Sequence, residues 1–200
     1  MSAFGTEGFA SVATVEVELY TAAYRVSGEV HTPFRRVAEI LNLLSGAHLT
    51  IESASIMEHA APDVIARASS AIVTVDEILV LIAADLATDG RAEMRIQKQA
   101  ARVRMAIPPL RLDGAIHVPV GSRPIDGLLN VPDRYLPMTD VTLSSAVYPS
   151  IDREVPILAV RRNGAHVVTF VEAGDDETTE EEEGSGWPEG AQAAEGAAEG

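Results

Sequence analysis

The chain has 200 residues, a formal net charge of −15 and no cysteine, with 46% hydrophobic but only 4% aromatic residues. The lack of cysteine excludes disulfides, thiolate metal sites and thiol catalysis, and the scarcity of aromatics means that the core is built from aliphatic side chains. There is neither a basic, apolar leader nor an apolar run long enough for a bilayer, so we expect a cytoplasmic protein with no membrane span.

An ordered series of matches between two stretches of the chain predicts an internal duplication. Residues 16–82 correspond to residues 102–170, and the gap-free start of the match pairs Arg25, Gly28, His31 and Pro33 with Arg111, Gly114, His117 and Pro119. We therefore predict a first β module over residues 1–87, a linker helix over 88–101 and a second β module over 102–171. Residues 172–200 contain eleven acidic residues and no Lys or Arg, which predicts a disordered acidic tail.

Each module begins with a predicted half-buried strand, because Val15–Leu19 and the stretch from Arg102 alternate apolar and charged residues. The charged positions carry Glu16 and Glu18 in the first module but Arg102 and Arg104 in the second. Duplicated modules often pack around a local two-fold axis, which brings equivalent elements together. We therefore expect these two strands to lie near each other and to pair their opposite charges.

The second predicted strand of each module contains a glycine at an equivalent position. These strands are Tyr24–His31 with Gly28 and Leu110–Val118 with Gly114. A glycine within a strand marks a bulge, a bend or a close approach of another backbone. We predict a structural bend at both glycines.

A short amphipathic helix is predicted next in each module, over residues 35–44 and 123–130. The match aligns Arg35 with Arg123, and Asn42 and Asn130 fall where the helices should stop. Asparagine tolerates the left-handed conformation that often ends a helix, so we expect both to act as C-caps.

Three further strands complete each module. The third strands are predicted over His48–Ile56 and Tyr135–Leu143, and a helical turn is expected within Ala60–Ser70. The last two strands are predicted as hairpins, 71–75 with 78–83 and 157–160 with 165–171, the second through the turn signal Asn163-Gly164. The predicted fold class is mainly β with short helices, a pseudo-two-fold tandem duplication of a five-stranded small barrel or sandwich.

The second module carries the pattern Arg-x-x-Gly, then Arg-x-x-Asp-x-Leu-Leu-Asn, then Thr-Asp-Val. Its matching residues are Arg111, Gly114, Arg123, Asp126, Leu128, Leu129, Asn130, Leu136, Thr139, Asp140 and Val141. The pattern is similar to a group of uncharacterised bacterial proteins that carry this module once or twice. The first module departs from it, with Ala38 in place of the Asp and Glu52-Ser53 in place of Thr-Asp. The resemblance implies a module boundary and no activity.

A looser resemblance, to Sm-like small barrels, rests on the strand pair bent about a glycine and on the late strand pair. It implies a fold analogy, which does not carry function.

The equivalent histidines His31 and His117 follow the two glycines by three residues. They could form a pair that binds a metal or an anion. Because no second ligand lies nearby in sequence, we favour strand-face histidines that each make one hydrogen bond. In the second module, Asp113, Asp126 and Asp140 could form a catalytic trio. The alternative, which we favour, is that Asp126 pairs with Arg123 and that Asp140 lies in a turn or at a strand edge.

The sequence contains no phosphate-binding loop and no nucleophile elbow, and its only lysine is Lys98. We assign no catalytic, metal or cofactor-binding residue and predict that the protein is not an enzyme. Residues 91–111 are rich in Arg, but the rest of the body is mildly acidic and lacks the aromatics that stack on bases. We expect a protein partner or self-association rather than nucleic acid.

The predicted function is a non-catalytic protein-interaction or assembly module. One alternative is a small-ligand or nucleic-acid-binding regulator of Sm-like type, and another is an enzyme with unrecognised chemistry.

Overall fold

A computed structural model describes residues 11–61, 63–84 and 97–171. These residues form one ten-stranded antiparallel sheet with two short α-helices, so the chain is mainly β. The strands are β1 (Ala13–Tyr20), β2 (Tyr24–Thr32), β3 (His48–Glu58), β4 (Val64–Thr74), β5 (Val80–Ala83), β6 (Lys98–Ile107), β7 (Leu110–Pro119), β8 (Tyr135–Ser144), β9 (Arg153–Arg161) and β10 (Val167–Phe170). The helices are α1 (Val37–Asn42) and α2 (Pro124–Leu129), and 3-10 turns cover Val75–Glu77, Pro149–Ile151 and Arg162–Gly164.

The strand order across the sheet is β10-β6-β7-β8-β9-β5-β1-β2-β3-β4. The first half of the described chain (residues 11–84) follows the order β5-β1-β2-β3-β4, and the second half (residues 97–171) follows β10-β6-β7-β8-β9. The two halves therefore have the same strand order. They meet where β5 pairs with β9, a contact that we call the joint, and β4 and β10 form the two ends of the sheet.

The alternating pattern of β1 places Val15, Val17 and Leu19 in the core and leaves Glu16 exposed, as the two-residue period predicts. The core consists of two clusters, and each cluster includes residues from both halves. Tyr20 of the first half packs in the cluster of the second half, and Tyr135 of the second half packs in the cluster of the first.

The predicted bends at Gly28 and Gly114 are confirmed. The register of β2 with β3 shifts between Ser27 and Glu29, and that of β7 with β8 shifts between Asp113 and Ala115. The neighbouring strand also passes so close to each glycine that an added Cβ would collide with it. The glycines are needed at these positions because of this close approach.

Both predicted helices are present, with Pro124 at the start of α2, where its missing N–H costs nothing. The left-handed caps are wrong. Asn42 is the last residue of α1 rather than its cap, and Asn130 caps α2 with φ −89°, in the right-handed region. The counterpart of Arg123 at the start of the helix is Arg36, and Arg35 lies exposed before it.

The predicted hairpins at the end of each half are also wrong. One 3-10 turn follows β4 and another follows β9. The next strand then crosses to the first strand of its own half, so that β5 pairs with β1 and β10 pairs with β6. Gly164 therefore does not adopt the positive φ of an Asn-Gly hairpin. The expected helical turn within Ala60–Ser70 is wrong as well, because β4 already begins at Val64.

The predicted two-fold pairing of β1 with β6 does not occur. Four strands, β7, β8, β9 and β5, separate them in the sheet. The halves instead join through β5 and β9, which occupy different places in the two strand orders, so the joint has no two-fold symmetry.

Residues 88–96 of the predicted linker helix lie outside the described residues. Its last four residues, 98–101, form a strand and not a helix. Lys98–Ala101 open β6, which pairs with β7 from Lys98↔Pro119 to Ile107↔Leu110. Such a ladder outweighs helix preferences of a few tenths of a kcal/mol per residue, on the order given by host–guest scales. The predicted acidic tail over 172–200 also lies outside the described residues.

Candidate functional site

A half-buried acidic side chain links the halves at one side of the joint. Glu18 of β1 accepts a hydrogen bond from Arg25 (Nη2–Oε2, 2.6 Å) and others from Arg153 of β9 and the Tyr20 hydroxyl. Burial disfavours the carboxylate, but the hydrogen bonds from Arg25 and Tyr20 and the nearby positive charges outweigh it and lower the pKa of Glu18. Glu18 therefore stays ionised and holds Arg153, whose guanidinium lies 5.7 Å from the Tyr20 ring centroid.

An aromatic stack continues this contact. The ring of His59 lies 5.9 Å from that of Tyr20 in the first half and 5.4 Å from that of Tyr148 in the second, between ring centroids. The side chain of His59 is buried, and burial lowers its pKa. The Nε2 atom lies 3.0 Å from the carbonyl oxygen of Thr21. A neutral imidazole is thus held between two tyrosines across the joint.

A second polar contact lies on the other side of the joint. The Asn42 side-chain amide donates to the carbonyl oxygen of Tyr135 (2.8 Å) and accepts from its N–H (2.9 Å), so α1 clasps the main chain at the start of β8. The Tyr135 hydroxyl donates to the carbonyl oxygens of Val75 and Ile78. Burial raises the pKa of Tyr135 to about 12, so this hydroxyl remains a donor at neutral pH.

The predicted histidines have the geometry of strand-face residues. The Nε2 atom of His31 lies 3.0 Å from Oε2 of Glu52, and that of His117 lies 3.0 Å from Oγ1 of Thr139 on the next strand. Four strands separate β2 from β7, so the structure does not bring the two histidines together. Across the described ranges, no group of three or more His, Asp or Glu side chains could hold a metal ion.

The three aspartates considered as a possible catalytic trio have separate contacts. Asp113 binds both Arg102 (2.7 Å) and Arg104 (2.8 Å) from the adjacent strand, so these arginines pair within their own half rather than with Glu16 and Glu18. Asp126 binds Arg123 at 2.7 Å, as predicted.

The third aspartate, Asp140, lies opposite the Gly114 bend with φ +52°. Its counterpart Ser53 lies opposite the Gly28 bend with φ +50°. Asp140 thus lies within the inner strand β8 and not in the predicted turn or at a strand edge.

No protein-family model, curated protein or solved structure matches this chain. In the parts of the chain that the structure describes, no helix combines the length and apolar character that crossing a membrane requires.

Among the described residues, the two end strands of the sheet each have a neighbouring strand on one side only. At one end, β4 exposes Ile72 (71%), and an apolar groove of about 520 Å³ runs beside it between Tyr24, Ile56 and Val73. At the other end, β10 exposes Val167 (56%). A strand at a sheet edge presents unpaired main-chain N–H and C=O groups, which makes it a template for another strand. The sequence revealed neither edge, because strand order depends on long-range pairing.

Proposed function

We propose that the chain is a tandem duplication of one five-stranded module and that it functions as a non-catalytic module that binds protein through its sheet edges. Support for the duplication comes from the shared strand order, the matched bends at Gly28 and Gly114 and the left-handed residues Ser53 and Asp140 opposite them. The bent strand pairs also agree with the Sm-like analogy, which concerns the fold alone.

The observation that carries the binding function is the exposure of apolar side chains along both open edges. Ile72 and Val167 project from edge strands, where an apolar side chain beside unpaired main-chain groups normally invites association. A partner strand laid along such an edge gains main-chain hydrogen bonds from the ladder and specificity from pockets for its alternate side chains. The groove beside β4 offers a pocket of this kind.

The internal charge pairs favour protein over nucleic acid as the partner. Asp113 neutralises part of the basic stretch by binding Arg102 and Arg104, and Asp126 does the same for Arg123. Arginines that neutralise phosphates drive nucleic-acid binding because they displace the counterions condensed on the nucleic acid, and arginines already paired with aspartate contribute less to that effect.

The test is site-specific photo-crosslinking of the full-length chain in the cells that naturally make it. A photoreactive amino acid replaces Ile72 or Val167 at the edges, and Val147 serves as the control because it is equally exposed (65%) but lies in the turn between β8 and β9. We expect protein adducts from the two edge positions and none from the control. Adducts to nucleic acid, or no protein adduct from either edge, would refute the proposed function.

A further inference from the structure

We infer that the partner of each open edge is a second copy of this chain, with β10 of one chain pairing antiparallel with β4 of the next. This inference rests on the proposed function and names the occupant of the edges. It follows from the joint, because the two strands that pair there are the counterparts of the two strands that lie open.

The counterparts are fixed by pairing within each half. His48 of β3 lies opposite Thr74 of β4, and Tyr135 of β8 lies opposite Arg161 of β9, so β4 corresponds to β9. β5 and β10 each follow a 3-10 turn and pair with the first strand of their own half. An equivalent hydrogen bond precedes both strands. The N–H of Leu79 donates to the carbonyl oxygen of Tyr20, and the N–H of His166 donates to the carbonyl oxygen of Ala106, both at 2.8 Å.

The joint supplies the register of the association. Val80 lies opposite Val160, and Leu81 lies opposite Ala159. Transferring this register to the counterparts places Val167 of one chain opposite Val73 of the next. It also places Val168 opposite Ile72.

Burial differs between counterparts in the way that a missing neighbour would produce. In the joint, Val80 and Ala159 are completely buried, whereas their counterparts Val167 and Ile72 are mostly exposed. The two helices show the same difference in burial. α1 packs on β8 and β9 of the second half. Ala38, the second residue of α1, is buried, whereas Ile125, the second residue of α2, is 49% exposed.

The groove beside β4 lies where side chains of a second chain would pack. In the second half, the corresponding part of the core receives Tyr20, Leu79 and Val80 from the first half. In the first half, the described residues leave the groove of about 520 Å³ open, and Val167, the counterpart of Val80, would enter it. An apolar surface already used in one joint is thus repeated at the free ends.

The charged contacts of the joint are not repeated. Asp76 and Arg134 form an ion pair across the joint, but the counterparts of these residues are Asn163 and Ala47. The association would therefore depend on main-chain hydrogen bonds and apolar burial and be weaker than the joint. Because unlike edges meet, it is heterologous and extends into a closed ring or an open filament.

The test measures the mass of the full-length chain in solution by light scattering after size-exclusion chromatography. The wild type is expected above the 21.2 kDa of one chain. Ile72→Lys blocks one edge and Val167→Lys blocks the other, and each variant is expected at the mass of one chain. Val147→Lys, at an equally exposed valine away from both edges, is expected to keep the wild-type mass.

A mixture of the two blocked variants distinguishes head-to-tail pairing from other self-association. Each chain retains one intact edge, and the two intact edges are complementary, so we expect a 1:1 dimer and nothing larger. A wild type that stays monomeric at its highest soluble concentration, or a mixture that stays monomeric while both variants melt like the wild type, would overturn the inference. Edge crosslinks to a different protein would also overturn it and would leave the proposed function standing.

Discussion

The two halves of the sheet make the same bend with different amounts of space around it. At Gly28, an added Cβ would overlap the carbonyl oxygen of Glu52 and lie 2.6 Å from Cγ2 of Ile51. At Gly114, the nearest atom would be Cγ2 of Val141 at 2.9 Å, followed by the carbonyl oxygen of Thr139 at 3.1 Å. A side chain can move aside more easily than a main chain. The two bends therefore fall at equivalent positions, but we expect them to differ in how well they tolerate an added side chain.

The largest expected effect is that of filling the tighter bend. Gly28→Ala should lower the free energy of unfolding by about 3 kcal/mol and Gly114→Ala by about 1 kcal/mol, at the two ends of the range for overpacked sites. Urea denaturation of both variants measures the difference. Gly46→Ala is the control, because its Cβ would meet nothing closer than 3.8 Å. Equal losses at both bends would show that the difference in space has no energetic meaning.

A second comparison concerns the first residue of β8 and of β3. Tyr135→Phe removes the hydroxyl that donates to Val75 and Ile78 in the buried joint, and should cost about 1–3 kcal/mol. His48→Phe at the exposed counterpart should change stability by less than about 0.5 kcal/mol. Thermal unfolding followed by circular dichroism measures both. If the two substitutions had the same effect, the joint would not depend on the tyrosine hydroxyl.

The smallest expected effect lies opposite the bends. Ser53 and Asp140 both have left-handed backbone conformations, which cost most residues roughly 1–2 kcal/mol but are tolerated better by aspartate. Ser53→Gly should therefore raise the free energy of unfolding by about 0.5 kcal/mol after the entropic cost of glycine, and Asp140→Gly should leave it nearly unchanged. Urea denaturation resolves the pair, and a larger gain at Asp140 would contradict this ranking.

Features set by local pattern were predicted well from the sequence. The alternation in β1, the glycine bends and the positions of both helices follow from periodicity and from the steric properties of single residues. Features set by distant neighbours were not. Asn163-Gly164 reads locally as a hairpin, but the chain turns there so that β10 can pair with β6.

The joint shows most clearly what the sequence could not reveal. The sequence predicts a helix cap for Asn42, although its side chain binds Tyr135 at a separation of 93 positions along the chain. The charge pattern predicts that Arg102 and Arg104 pair with Glu16 and Glu18, although both bind Asp113 on the adjacent strand. His59 gave no signal, since an isolated histidine has no pattern that foretells two tyrosines around it.

The exchange of core residues across the joint has a consequence for how the molecule folds. Tyr20 completes the core of the second half, and Tyr135 completes that of the first, so neither half can bury its apolar surface fully before the other is in place. The pairing of Val80 with Val160 closes a long loop of the chain, which runs from β5 through β6, β7 and β8 to β9. Closing a long loop costs entropy before its contacts reward it. We therefore expect the meeting of β5 and β9 to limit the folding rate, and we expect the two halves to unfold as one cooperative unit.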